Sequence, residues 1–243
     1  MPAVVLTRGR ATFALAETWE SEDVSRRIAG VWGILAFVIF NVAWVAGGLA
    51  QPSPYSAADD DISDLGATTA ASPWVYNQVG ANLTGILVVL FGLGLWRALS
   101  PDLIGRIGAA VLIAEGISMF VDGIFRLDCR GIDAGCDNVS WHSHAHKIES
   151  GFTAAFALLA PLILAFAFRR IPAWRDLWIP SLLTVPAIFA ANAVFSLIGD
   201  GAATRAGTVV GFAWIAFVGV RMLQKGETAA PVPRSPISPA IQK

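Results

Sequence analysis

Between Asp128 and Phe152 the chain reads DCRGIDAGCDNVSWHSHAHKIESGF, which gathers two cysteines, three histidines, a lysine and four carboxylates. Imidazoles ligate divalent cations or move protons, and carboxylates serve as further ligands or as general bases. Cys129 and Cys136 are the only cysteines in the chain. In an oxidising compartment a pair so close in sequence is expected to form a disulfide closing a short loop. The rival reading is a zinc site, C-x6-C-x5-H-x3-H, completed by His142 and His146. Its gaps depart from the spacing of ordinary zinc fingers, and oxidation competes with thiolate ligation.

These side chains need elements to hold them, and the composition says which. The 243 residues are 55% hydrophobic and 14% charged, with a mean hydropathy of +0.61. Soluble domains carry about a quarter charged residues, so a membrane protein is indicated. The formal net charge of -1 supplies no basic surface for nucleic acid. The first apolar runs, AVVL and ATFALA, are short and interrupted by Arg8 and Arg10, so no signal peptide is expected.

Six apolar stretches approach the roughly 20 residues that a helix needs to cross a bilayer: 29–50, 74–96, 105–125, 146–168, 177–198 and 206–223. None alternates with period two, which disfavours a β-barrel. The expectation is an all-α, polytopic protein with six transmembrane helices in a single bundle over 29–223. A polar cytoplasmic segment, 1–28, precedes it, and a disordered Pro-rich cytoplasmic tail, 224–243, follows. Thirteen of the seventeen Lys and Arg fall in the head, the second and fourth connections and the tail. The positive-inside rule therefore places both termini in the cytoplasm of an inner (plasma) membrane protein and the Cys129 loop outside. The first connection agrees, with four Asp and no Lys or Arg. Gly207 and Gly211 form a GxxxG pair that suits packing inside one bundle or between two copies, so the oligomeric state stays open.

Helical periodicity then sorts the polar groups. One face of the third span collects Glu115, Ser118, Asp122 and Arg126; one face of the fourth collects His142, His146, Glu149 and Thr153. The two spans are antiparallel neighbours, and at 1.5 Å per residue Asp122, His146 and Glu149 can meet near one level. Asn41, Asn77, Gln78, Asn82, Asn192 and Ser196 fall in the same outer halves. Ionisable groups within a span are costly and usually face a protein interior or a wet cavity, so a polar pocket open to the extracytoplasmic face is expected. Within it, His142 and His146 are candidate ligands for a divalent metal such as zinc, and Asp122 or Glu149 a third ligand or general base. Asp122 and Arg126, spaced i, i+4, equally suit a structural ion pair.

The segments DDDISDLGATTAASPWVYNQVGANLTG, GIFRLDC and SWHSHAHKIES resemble a bacterial family of multi-pass membrane proteins filed as domain of unknown function 998. The resemblance spans about residues 29–223. It implies a topology of about six spans and marks Asp64, Asp128, His142 and His146 as motif positions, but it names no activity. A looser similarity, through His142-x3-His146, is to ceramidase-like membrane hydrolases, which differ in span number and in motif order.

Three function classes follow: a metal-assisted membrane hydrolase or lipid-modifying enzyme, a proton-coupled transporter using Glu115, Asp122, His146 and Glu149 as a relay, and an accessory protein whose pocket binds a lipid, a small hydrophobic ligand or a partner. No P-loop, G-x-S-x-G or H-E-x-x-H motif is present.

Overall fold

The computed structural model describes residues 7–224, with side chains from Val24 onward; the expected disorder of the tail concerns 225–243, outside that range. The described chain is helical and contains no strand. Its helices are α1 (Thr7–Leu49), α2 (Thr84–Ala98), α3 (Leu103–Asp122), α4 (Trp141–Arg170), α5 (Trp178–Phe195) and α6 (Asp200–Gln224). A π-helical stretch, Val75–Leu83, leads into α2, and a 3-10 turn, Pro172–Leu177, leads into α5. Six helices are long and apolar enough to cross a membrane, so the protein is multi-pass and its solvent is the bilayer.

Local signals set the helix starts. The Asp102 carboxylate accepts from the Gly105 backbone N–H at 2.8 Å, and the Ser140 hydroxyl accepts from that of Ser143 at 3.2 Å. Each satisfies one of the amides that a helix start leaves bare. Capping by Ser140 starts α4 at Trp141, five residues before the hydropathy boundary, so His142 lies in its first turn.

The helices pack as a ring in chain order, each against its sequence neighbours, with α1 closing on α6. Small residues let the backbones approach. A Cβ on Gly30 would lie 2.6 Å from the Gly219 carbonyl oxygen of α6, and one on Gly85 would lie 2.5 Å from that of Gly116 in α3. Gly207 and Gly211 of the GxxxG pair face Asn192 and Ile188 of α5, so packing within the chain accounts for them. Phe40 of α1 stacks on Phe212 of α6 at 4.6 Å.

The two ends differ in chemistry. At one, Arg106 lies over Trp96 at 4.5 Å, Arg169 over Trp178 at 5.4 Å, and Arg221 pairs with Asp176. The other, the loop end, carries the first connection and the Cys129 loop. There α3 stops at Asp122 with Gly123 as its cap, so Arg126 lies beyond the helix, exposed. The i, i+4 relation expected between Asp122 and Arg126 is lost with the helix.

Candidate functional site

One potential ligand atom from each of Asp122, His146 and Glu149 lies within 4.8 Å of the other two. Asp122 ends α3, and His146 and Glu149 lie one turn apart on α4. The Nδ1 atom of His146 is 3.0 Å from Asp122 Oδ1 and 3.1 Å from the Phe125 carbonyl oxygen. A carbonyl only accepts, so Nδ1 carries a proton. Glu149 Oε1 accepts from the Ser118 hydroxyl at 3.0 Å and from the Thr153 hydroxyl at 2.5 Å. Its Oε2 is buried with no hydrogen-bond partner. Two carboxyl groups so placed in a low-dielectric interior need a cation or a proton between them.

Tyr76 is buried beside this triad. Sequence reasoning missed it. The signal lay in its neighbourhood. Gly66, the last residue of ISDLG, is pressed against the Tyr76 ring, and its carbonyl accepts from Asn77 Nδ2 at 2.9 Å. Asn82 Nδ2 donates to the Phe120 carbonyl at 2.6 Å, near the end of α3. Asn77 and Asn82 thus brace backbone; Gln78 is exposed. Stretches of π-helix are uncommon and often occur at functional sites.

The loop end forms a cap over the triad. Cys129 and Cys136 are joined as a disulfide. Asp64, in the 3-10 turn Ile62–Gly66, accepts from the Gly131 N–H at 3.1 Å, and burial pushes its carboxyl above the ordinary value. Asp128 accepts from the Ser140 N–H at 2.9 Å and from the Ser140 hydroxyl; these bonds hold its carboxyl below the usual range. Arg130 and Asp133 form an ion pair at 2.6 Å, and that pair, with the Thr69 hydroxyl, holds Asp133 at about 2. Asp64 and Asp128 are therefore pieces of the cap.

The remaining expected site residues are dispersed. His142 lies outside the triad, its ring 3.9 Å from that of Trp141 and 5.7 Å from that of Phe125. Asn192 donates to the Ile188 carbonyl at 2.8 Å and abuts Gly207. Glu115 is buried two turns below Asp122, and further down α3 come Leu112 and Ala109, buried and apolar, with Gly108 against Leu164 of α4. The polar file ends at Glu115.

A second residue unforeseen from sequence is Arg205 of α6. It is buried and donates to the Asp60 carbonyl at 2.7 Å, the Gly201 carbonyl at 3.0 Å and the Tyr55 hydroxyl at 2.7 Å. Its guanidinium lies 5.6 Å from the Trp44 ring. It thereby fastens the acidic first connection to the bundle.

Beside the triad a groove of about 560 Å³ runs between α3 and α4. Ile117, Val121, Ile148, Phe152 and Phe156 are among its walls, and Ser118 and Glu149 supply its polar atoms. Ile117, Ile148 and Phe152 are also more than half exposed on the bundle's outer surface, so the groove opens sideways, where lipid lies.

Compared with known families, residues 34–221 match the family described as proteins of unknown function, DUF998, and the chain belongs to it. The resemblance carried by ISDLG and the Cys-to-His segment is thereby confirmed. No curated protein and no solved structure matches the chain.

Proposed function

We propose that this membrane protein binds one divalent cation through Asp122, His146 and Glu149, and presents it to a lipid or small hydrophobic ligand at the extracytoplasmic side. The observation that carries this reading is the approach of three buried potential ligand atoms to within 4.8 Å of one another. One imidazole with two carboxylates suits zinc or another first-row divalent ion, whereas calcium and magnesium favour six or more oxygens. Three protein ligands leave a position open, the pattern of catalytic rather than structural zinc sites. Around them, Ser118 and Thr153 orient Glu149, and the Phe125 carbonyl orients His146, the kind of outer support that metal ligands use. A cation there would activate water or polarise a carbonyl, which suits a metal-assisted hydrolase or lipid-modifying enzyme. The side assignment rests on the Lys and Arg distribution.

The proton on His146 Nδ1 favours a second reading, in which the triad only binds and releases protons. The apolar packing below Glu115 weighs against a relay across the bilayer. Metal analysis of the protein purified without chelator separates the two. Near-stoichiometric metal, lost in both Glu149→Gln and His146→Ala, is expected. Wild-type protein that neither holds zinc nor binds it at micromolar concentration would leave the proton-binding reading.

A further inference from the structure

The α3–α4 groove meets the triad at one residue. Glu149 belongs to both: Oε1 takes the Ser118 and Thr153 hydroxyls, Oε2 has no donor, and the side chain forms part of the groove wall. Other walls, Ala114, Ile117, Phe152 and Phe156 among them, are hydrocarbon. The volume of about 560 Å³ falls in the range of small-ligand sites. No Lys or Arg lines the groove, so an anionic headgroup finds no counter-charge in its walls. With a divalent cation at the triad the two carboxylates are neutralised, and an uncharged polar head matches an uncharged site. Without one, Glu149 Oε2 is buried with no hydrogen-bond partner, and a hydroxyl or N–H would supply it. Both conditions select the same chemistry.

Building on the triad as a cation site, we propose that the groove is a lateral entrance for a neutral lipid bearing a hydroxyl or amide N–H. The tail lies along Ile117, Phe152 and Phe156, and the polar head sits at Glu149 and Ser118. Bulk lipid touches the outward faces of the bundle, and here its hydrocarbon surface runs up to Glu149, a buried carboxylate with one unpartnered oxygen. Entry from the side needs no opening of the cap.

The test uses the full chain reconstituted in phosphatidylcholine vesicles with a trace of photoactivatable diacylglycerol, its labelled peptides mapped by mass spectrometry. Labelling is expected to concentrate on α3 and α4 around Ile117 and Phe152. Unlabelled diacylglycerol should displace it at least tenfold better than phosphatidylglycerol of the same chains. Filling the groove with Ala114→Phe, or narrowing its mouth with Ile117→Trp should one variant not fold, removes the saturable labelling while bound metal stays at the wild-type level. Labelling spread over α1 and α5 in proportion to exposure, or equal displacement by the two lipids, overturns the proposal. Metal measured in the same samples keeps the readings apart. Saturable labelling in metal-free protein sinks the cation site alone, and uniform labelling of metal-loaded protein sinks the groove alone.

Discussion

His146 and Asp122 are joined across the α3–α4 interface at 3.0 Å, with only 7% and 13% of their side chains exposed. A buried polar pair in such a place contributes little net stability as a pair, yet removing one partner strands the other. Asp122→Ala and His146→Ala are each expected to cost about 3–5 kcal/mol. The double variant should cost less than the sum, with a coupling of about 0.5–3 kcal/mol. Thermal melting in detergent across the four proteins measures it, and strict additivity would show that the two side chains do not interact.

Close backbone contact makes a second expectation. A Cβ on Gly85 would stand 2.5 Å from the Gly116 carbonyl oxygen and 2.6 Å from the Phe120 nitrogen, whereas one on Gly151 meets nothing within 4 Å. Gly85→Ala should therefore destabilise the bundle by about 1–3 kcal/mol. Gly151→Ala, in the exposed face of α4, should stabilise by about 0.5–1 kcal/mol. Melting temperatures moving in opposite directions check both.

The cap should respond to acid with a definite sign. Asp133 is held at about 2 when folded against 3.8 when free, and Asp128 is also lowered. A lowered folded value gives stability that is present above about pH 4 and lost as the pH falls toward about 2. Asp64, raised by burial, works in the opposite sense and favours the fold as it takes up a proton. Cleavage of the Cys129 loop by pepsin should rise steeply between pH 4 and pH 2 in the wild type. In Asp133→Asn the loop should already be cut at pH 4, and identical profiles would remove Asp133 from the cap.

Helix α5 buries little: Ser181 and Thr184 are its only buried residues. The Trp214 indole N–H of α6 donates to the Ser181 hydroxyl at 2.9 Å, both being buried. Ser181→Ala leaves that N–H without an acceptor, at about 1–3 kcal/mol. Thiol labelling of a cysteine placed at the α5–α6 interface should speed up in the variant, and unchanged labelling would show that the bond does not hold α5.

Hydropathy made six helices legible, because a spanning helix must be apolar over a fixed length whatever its neighbours do. The meeting of Asp122, His146 and Glu149 was legible for a related reason: polar groups at one depth on adjacent spans gain by facing one another. Exact ends were harder. The Ser140 cap was available in the sequence and starts α4 five residues ahead of the apolar run. The stop of α3 at Asp122 was not visible in hydropathy, and extending that helix to Phe125 placed Arg126 on a face it does not share. Tyr76 escaped because the faces of Val75–Leu83 follow a wider helix than the 3.6-residue period assumes. Arg205 escaped because its acceptors are the distant Asp60 carbonyl and Tyr55 hydroxyl, which only the folded chain brings near.

The apolar floor beneath Glu115 has a consequence for traffic. Whatever reaches the triad, from the capped end or from the side, must depart by the leaflet it came from. On the proposed function, molecules bound there keep their place in the membrane's asymmetry, and one monolayer is served without mixing it with the other.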